Sequence, residues 1–287
     1  MQVLAPAKIN ISFRIKRRRP DGFHEIETLM APISLADRLT IERAGDDGQI
    51  RFSCDDPTIP GGDDNLVVRA ANLFRETTKA AGGIMIRLEK KIPHGAGLGG
   101  GSSDAASTLL ALNDLFGTRL SPEELSKLAA ELGSDVPFFV ACSAAVCRGR
   151  GEIVTPVSLD ERFPLLLLKP NFGVPTPWAY GRWKDSRELP GVDYSAQELG
   201  GARFVNDLER PVFEKYVFLA RLKNWLRQQP EAAVALMSGS GSTMFAVLGG
   251  VADAEALAER ARNKMDPELW TCVSQLSSST PPPRTRD

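Results

Sequence analysis

One stretch constrains this chain more than any other: Pro93-His94-Gly95-Ala96-Gly97-Leu98-Gly99-Gly100-Gly101-Ser102-Ser103-Asp104. Before it, Ile84–Glu89 alternates apolar and polar residues, the pattern of a strand. After it, Ala105, Ala106, Leu109, Leu110 and Phe116 recur at helical spacing up to Gly117, an expected C-cap. The order is strand, glycine loop, helix. Glycines let successive N–H groups turn toward one point and let a ligand approach the backbone closely. Ser102 or Ser103 is the expected cap of the helix, whose N-terminus carries partial positive charge. Together these features predict a phosphate site.

Rival readings of the loop fail on what surrounds it. Flexible linkers are not set so tightly between a strand and a capped helix. Gly95, Gly97 and Gly100 satisfy G-x-G-x-x-G, but a dinucleotide fold needs a second strand after the helix, ending in an acid for the ribose. Here Ser121-Pro122-Glu123-Glu124-Leu125 opens another helix instead. A P-loop would end in Gly-Lys-Ser/Thr, and this loop has no lysine. No His-Arg-Asp or Asp-Phe-Gly follows, which excludes a protein-kinase loop.

At 287 residues the chain can form one large or two ordinary domains. A net charge of −1 provides no global field for nucleic acid or an anionic membrane. The short basic run Lys16-Arg17-Arg18-Arg19 reads as a solvated hairpin tip. Four cysteines without a C-x-x-C pair, and only two histidines, make a His/Cys metal site improbable. They read as reduced, mostly buried thiols of a cytoplasmic protein. Lys8 and Asn10 interrupt any signal-peptide core. The apolar run Leu165–Leu168 is too short to span a membrane and reads as a buried strand.

Pro6–Ile15 alternates strictly, with Ile9, Ile11, Phe13 and Ile15 on one face and Lys8, Asn10, Ser12 and Arg14 on the other. Taken alone this is an ordinary half-exposed strand, although Lys8 is also a suitable phosphate partner. Asp21-Gly22 signals a turn, followed by Phe23 and His24. Locally His24 is structural or functional, and His94 is an exposed loop residue or a ligand contact. Strands are expected around Ile26–Ile33, Leu39–Glu42 and Ile50–Cys54. Asp64 is the expected N-cap of a helix carrying Leu66, Ala70, Leu73 and Phe74. Ser121–Glu124 has capping-box form, and Leu125, Leu128, Ala129 and Leu132 make that helix's apolar face up to Gly133. Asp135 follows, either a helix cap or a partly buried functional carboxylate.

The second half differs in texture, with a weak domain boundary near residues 150–165. A Pro-rich passage, Val174–Trp178, opens a loop-rich stretch to about Gly201, and a helical region runs from Asn206-Asp207-Leu208 through Trp225. Ser238–Thr243 is a second glycine-serine loop, a plain turn or more, before the strand Met244–Leu248. A helix over Ala254–Met265 and a strand over Trp270–Leu276 complete the pattern. The Ser/Pro-rich tail has the composition of a disordered segment.

In combination these pieces resemble the GHMP small-molecule kinases. Three motifs occur in order: Pro6-Ala7-Lys8-Ile9-Asn10, the Pro93–Ala106 loop and the Ser238–Thr243 loop. Asp21-Gly22-Phe23-His24, Asp64-Asn65-Leu66, Gly133-Ser134-Asp135-Val136-Pro137-Phe138, Gly149-Arg150-Gly151-Glu152 and Pro175-Thr176-Pro177 point to the members that act on a cytidine-linked polyol. The resemblance implies an α/β (α+β) two-domain fold, ribosomal-S5-like at the N-terminus and ferredoxin-like at the C-terminus, with a cleft between. The implied domains are 1–155 and 156–276, with a disordered tail over 277–287. It implies ATP-dependent phosphorylation of the 2-hydroxyl of 4-diphosphocytidyl-2-C-methyl-D-erythritol (CDP-methylerythritol), in the non-mevalonate route to isoprenoids, with Mg²⁺ bridging the phosphates.

By the same resemblance Lys8 and Asp135 form the catalytic pair. Pro93, His94, Gly95, Ala96, Gly97, Leu98, Gly99, Gly100, Gly101, Ser102 and Ser103 cradle ATP phosphate, and Asn65 and Leu66 hold adenine. Phe23 and His24 hold cytosine, with Tyr180 as a second stacking ring, while Asn10 and Thr176 contact the diphosphate or polyol. Ser103 is the candidate Mg²⁺ ligand. The family commonly has tyrosine where Phe23 stands, so stacking is retained and one polar contact is lost. The expected assembly is a cytoplasmic monomer or weak homodimer, with no nucleic-acid or membrane partner. Competing readings are a GHMP kinase for another small alcohol, such as homoserine or mevalonate, and a catalytically silent nucleotide-binding relative.

Overall fold

The computed structural model describes residues 1–45, 47–159, 162–249 and 254–277. The chain opens on two long antiparallel strands, β1 (Gln2–Arg18) and β2 (His24–Arg43). The turn between them closes through Gly22 N–H to Arg19 O and Arg19 N–H to Phe23 O. Where the sequence suggested two strands, Ile26–Ile33 and Leu39–Glu42, β2 runs unbroken, because Ala36 and Asp37 go on pairing with β1. The β1–β2 register shifts between Pro6 and Lys8, between Asn10 and Ser12, and between Ile15 and Arg17. Bulges re-aim side chains, and the first two bracket Lys8 and Asn10.

The chain continues as β3 (Ile50–Cys54), α1 (Leu66–Thr78), β4 (Ile84–Glu89), α2 (Gly100–Phe116), α3 (Pro122–Leu132) and α4 (Val136–Ala141). Then come β5 (Ala145–Gly149), β6 (Ile153–Pro156), β7 (Pro164–Lys169), α5 (Thr176–Arg182), β8 (Gln197–Leu199) and β9 (Ala202–Asn206). The last elements are α6 (Glu209–Lys215), α7 (Val217–Arg227), β10 (Ala232–Met237), β11 (Met244–Leu248), α8 (Ala254–Lys264) and β12 (Trp270–Gln275). The helical region expected up to Trp225 breaks at Tyr216, whose φ of −102° and ψ of 66° are not helical. The strand β10 carried no sequence signal, since a run of Ala, Val, Leu and Met has no period that separates strand from helix.

Among the described residues there are two sheets. The first has order β3-β4-β2-β1-β9-β8, with β5 on β2 and β6 on β5. The second is antiparallel, in the order β10-β11-β7-β12. Strands β8 and β9, from the later half of the chain, extend the first sheet, with β9 parallel to β1.

Four layers result, held by apolar burial. On the outer face of the first sheet, Leu39, Ile41 and Ile86 join one buried cluster with Phe74, Leu109, Leu112, Leu128 and Phe138 of α1–α4. Between the sheets, Ile9, Ile11 and Ile33 meet Leu165, Leu167, Leu236 and Phe245. On the far face of the second sheet, Leu166 and Leu168 meet Val212, Leu222 and Leu257 of α6–α8. The Leu165–Leu168 run is therefore buried on both faces of β7. Each such side chain contributes about 1.5–3 kcal/mol of burial.

Helix ends follow local chemistry with two corrections. Ser121 and Glu124 form the expected capping box, and Gly117 is a left-handed C-cap at φ 64°. The cap of α1 is Asn65 rather than Asp64: Asn65 holds the extended backbone conformation, and its Oδ1 accepts from Val67 N–H at 2.8 Å. Neither Ser102 nor Ser103 caps α2; both lie inside it, and the cap position is Gly99 with no side-chain bond. Of the tail expected to be disordered, residues 278–287 lie outside the described residues, while Ser277 N–H donates to Pro32 O at 3.0 Å. Among the described residues no helix is long and apolar enough to cross a membrane.

Candidate active site

A cleft of about 1400 Å³ opens where β1, the glycine loop, α5 and the Ser238–Thr243 loop converge. The glycine loop is built by steric exclusion. Gly97 sits at φ 74°, and a Cβ there would lie 2.3 Å from Ser238 O. Gly99 sits at φ 72°, where a Cβ would meet the Phe139 ring at 2.8 Å and Lys8 Cγ at 3.1 Å. Only glycine allows these approaches. The two loops are then stitched together: Ser238 Oγ donates to Gly97 O at 2.9 Å, and Thr243 N–H donates to Ala96 O at 3.2 Å. Because no side chain caps α2, its first-turn N–H groups stay available at the cleft wall.

Lys8 runs beneath this loop. Its backbone N–H donates to Leu98 O at 2.9 Å. Its Nζ donates to Asn10 Oδ1 at 2.6 Å and Gly97 O at 3.0 Å, and stands 3.8 Å from Asp135 Oδ2. The strictly alternating strand suggested a solvated polar face here, but Lys8 and Asn10 are both buried, because the loop and α2 cover that face. Asn10 is fixed in turn, its Nδ2 donating to Thr28 Oγ1 at 2.8 Å. Burial pushes the Lys8 ammonium below its ordinary value, while the Asp135 carboxylate works against that shift. Cys147, close to this pair, has its thiol pushed up to about 12 by burial and then by Asp135, so it stays protonated.

Asp135 stands at the N-terminus of α4 but makes no capping bond, so its side chain is not the helix cap that the sequence allowed. Its carboxylate faces Lys8 and the cleft instead.

At the other end of the cleft, the His24 and Tyr180 rings stack with centroids 5.4 Å apart. Trp183 closes edge-on to His24 at 6.0 Å. Burial, and then the Arg18 charge, push His24 down, which favours the neutral imidazole with one donor and one acceptor nitrogen. Burial, followed by the Asp135 charge, raises the Tyr180 hydroxyl. Phe23 is half exposed beside this group. Thr176 Oγ1 and Ser240 Oγ share a hydrogen bond of 2.8 Å, tying α5 to the C-terminal loop.

The sequence-derived candidates Lys8, Asn10, Phe23, His24, Asn65, Leu66, residues 93–102, Asp135, Thr176 and Tyr180 all line this one cleft. Ser103 does not; it is fully buried, and its Oγ has no hydrogen-bond partner among the described residues. Asn65 is already engaged, donating to Pro60 O at 2.7 Å while capping α1. Leu66, at the first turn of α1, supplies an apolar wall.

Sequence reasoning missed several contributors. Trp183 carried no motif. Lys90 Nζ donates to Asp37 Oδ2 at 2.5 Å and Asp104 Oδ2 at 2.9 Å, and Asp37 Oδ1 accepts the Lys91 and Ile92 N–H groups. This cluster joins both ends of the glycine loop to β2. Asn206 Nδ2 donates to Met237 O and Gly239 O, each at 2.7 Å, and Glu209 Oε1 accepts Met237 N–H at 2.9 Å. These bonds set the approach to the C-terminal loop.

The fold and this cleft define the GHMP class of small-molecule kinases. The family model for the GHMP kinases N terminal domain matches residues 65–143, and that for the GHMP kinases C terminal matches 195–274. A 4-diphosphocytidyl-2-C-methyl-D-erythritol kinase of Methylacidiphilum infernorum is 45% identical over 248 residues, 85% of this chain and 84% of its own. Its counterpart in Geobacter metallireducens is 38% identical over 276 residues, 94% of this chain and 96% of its own. A crystal structure of 4-(cytidine 5'-diphospho)-2C-methyl-D-erythritol kinase matches with a TM-score of 0.79 at 37% identity, covering 97% of this chain and 100% of that one. The chain belongs to the 4-diphosphocytidyl-2-C-methyl-D-erythritol kinase family. A homoserine kinase from Cytophaga hutchinsonii, at a TM-score of 0.69 and 19% identity, shares the fold alone.

Proposed function

We propose that the enzyme transfers the γ-phosphoryl group of ATP to the 2-hydroxyl of 4-diphosphocytidyl-2-C-methyl-D-erythritol, with Lys8 and Asp135 as the catalytic pair. The observation that carries this reading is their placement. The Lys8–Asp135 pair lies between a phosphate-shaped glycine loop and an aromatic pocket built from His24, Tyr180 and Trp183. Glycine-loop N–H groups and the α2 N-terminus suit the β- and γ-phosphates. Asn65 and Leu66 border the adenine end, and the aromatic pocket suits cytosine. Asn10 and Thr176 lie between, where the diphosphate and polyol would pass.

Phosphoryl transfer asks mainly for positioning and charge stabilisation. Asp135 accepts the 2-hydroxyl proton as the oxygen–phosphorus bond forms and the bond to the ADP oxygen breaks. Lys8, held by Asn10 and Gly97, faces the Asp135 carboxylate and offsets charge on the transferring group. Mg²⁺, when bound, would supply positive charge that neutralises the phosphate groups. Ser103 Oγ, unpartnered and buried in the first turn of α2 behind the cleft wall, would serve as a ligand only by turning toward the cleft. The four cysteines are thiols, which supports a reducing, cytoplasmic setting.

A coupled ADP-release assay with Mg-ATP, offering the cytidine compound beside homoserine, mevalonate and galactose, tests the reading. Turnover of the cytidine compound alone is expected. Turnover of another alcohol in its place would keep the phosphate chemistry and overturn the substrate.

A further inference from the structure

The β5–β6 turn, Gly149-Arg150-Gly151-Glu152, has no part in the transfer described above, yet it is built with care. Gly149 takes φ 73°, and a Cβ there would lie 2.8 Å from Glu152 Oε2. Gly151 takes φ 123°. The Glu152 carboxylate accepts Arg150 N–H at 2.6 Å, and its other oxygen lies 3.7 Å from Arg150 Nε. The turn therefore fixes both the backbone and the direction of one arginine.

That arginine points at the pyrimidine end of the cleft. Its Cζ lies 4.8 Å from the centroid of the Phe23 ring. On its other flank the turn approaches the reaction centre: a Cβ on Gly151 would stand 3.6 Å from Asp135 Oδ1. One rigid turn thus touches both the phosphoryl-transfer end and the base-binding end.

Phe23 needs such support. It is 51% exposed, it stands at the end of a hairpin turn, and its side chain has no hydroxyl to anchor it. A ring free to rotate loses that freedom when a base stacks on it, which weakens binding. A planar guanidinium over one face holds the ring through cation–π attraction. The opposite face is then presented to a ligand.

We propose that Arg150 is a positioning residue for the cytidine end of the substrate, holding the Phe23 ring so that its free face receives the pyrimidine. The inference rests on the substrate reading above.

The test uses the full chain and initial rates with CDP-methylerythritol and ATP varied separately. Arg150→Met keeps the apolar stem and removes the charge. It is expected to raise KM for CDP-methylerythritol about three- to tenfold, while kcat and KM for ATP move less than about twofold by the same argument, because neither involves the ring. Arg150→Lys, which keeps a cation, is expected to recover part of the loss. In a Phe23→Leu background the Arg150→Met change should add little, since the ring it holds is gone. An unchanged KM in Arg150→Met overturns the inference. A lowered KM does too, because it would show the guanidinium competing with the base. So does full additivity with Phe23→Leu, or a fall confined to kcat. Absence of turnover by the unaltered enzyme would instead overturn the substrate reading, and this inference with it.

Discussion

Lys8 Nζ stands 3.8 Å from Asp135 Oδ2, and the two side chains differ sharply in exposure, 4% for the lysine and 37% for the aspartate. The lysine is immobilised by Asn10 and the Gly97 carbonyl. The aspartate, with no capping bond to occupy it, faces the cleft. The pair thus joins a fixed positive charge to a carboxylate accessible to substrate. That asymmetry is what a hydroxyl-activating carboxylate requires.

Asp135→Asn is expected to lower kcat by about 10²- to 10⁴-fold, the usual range for a positioned acid–base group. KM for ATP should hardly change, because in the proposed reading the glycine loop, not Asp135, holds the nucleotide. Lys8→Met should lower kcat as well, and the double variant should be little worse than the poorer single variant, since the two act as a unit. Steady-state rates decide this. Near-normal turnover by Asp135→Asn would remove it from the mechanism.

Two glycines of one loop should respond differently to alanine. Gly95→Ala meets no atom within 4 Å and suffers only the strain of φ 62°, about 1–2 kcal/mol. Gly97→Ala has comparable strain at φ 74°, and its Cβ would also fall 2.3 Å from Ser238 O. The Gly97 variant should lose more stability and most of its ATP affinity, because the two loops must separate. Thermal melts with and without ATP compare them. Equal losses would mean that the contact with Ser238 is readily relaxed.

The buried cluster under the loop predicts a pH dependence. Burial, with Asp37 adding to it and Lys90 opposing it, pushes the Asp104 carboxyl up to about 8. Burial works against the Lys90 charge, but Asp104 and Asp37 outweigh it and raise Lys90. Below pH 8 the folded state holds a proton on Asp104 that the unfolded chain has already lost, so this contribution to stability declines as pH rises from the ordinary carboxylate range through about 8. Asp104→Asn mimics the neutral form. Its melting temperature should therefore vary less than the parent's between pH 6 and pH 9, a window set by that raised value. A parallel decline in both proteins would show that Asp104 is ionised throughout.

Lys223 and Glu209 form an ion pair at 2.5 Å with both side chains almost wholly buried. Lys223→Met leaves the Glu209 carboxylate without its partner and should cost about 3–5 kcal/mol, as broken buried pairs do. Pairing it with Glu209→Gln removes the stranded charge and should restore much of that loss. Urea unfolding of the three variants measures the coupling. Additive losses would contradict it. Glu209 also accepts the Met237 N–H, so a Glu209 side chain displaced by the loss of Lys223 should also loosen the start of the Ser238–Thr243 loop.

Local chemistry made much of this protein legible in its sequence. The strand before the glycine loop, the helix after it, the Gly117 C-cap and the Ser121 capping box all rest on interactions within a few residues, and all are present. The caps at Ser102/Ser103 and Asp64 were misread because a serine or aspartate near a helix start is favoured by chemistry alone. The actual caps, Gly99 and Asn65, were chosen by loop geometry. Motif resemblance named many of the residues that line the cleft, whereas Trp183 and Lys90 line it without a motif.

By itself, the sequence determined the phosphate-shaped loop, because glycine torsions and helix polarity act at short range, while its motif resemblance pointed to the class of chemistry and to Lys8 and Asp135 as candidates. Tertiary structure alone decided that Lys8 is buried rather than solvated, that Asp135 faces it without capping a helix, and that Lys90 bridges Asp37 and Asp104. Those outcomes depend on which surfaces cover a strand's polar face and on contacts between residues far apart in the chain. Burial and charge pairing belong to the packed molecule, and no local pattern encodes them.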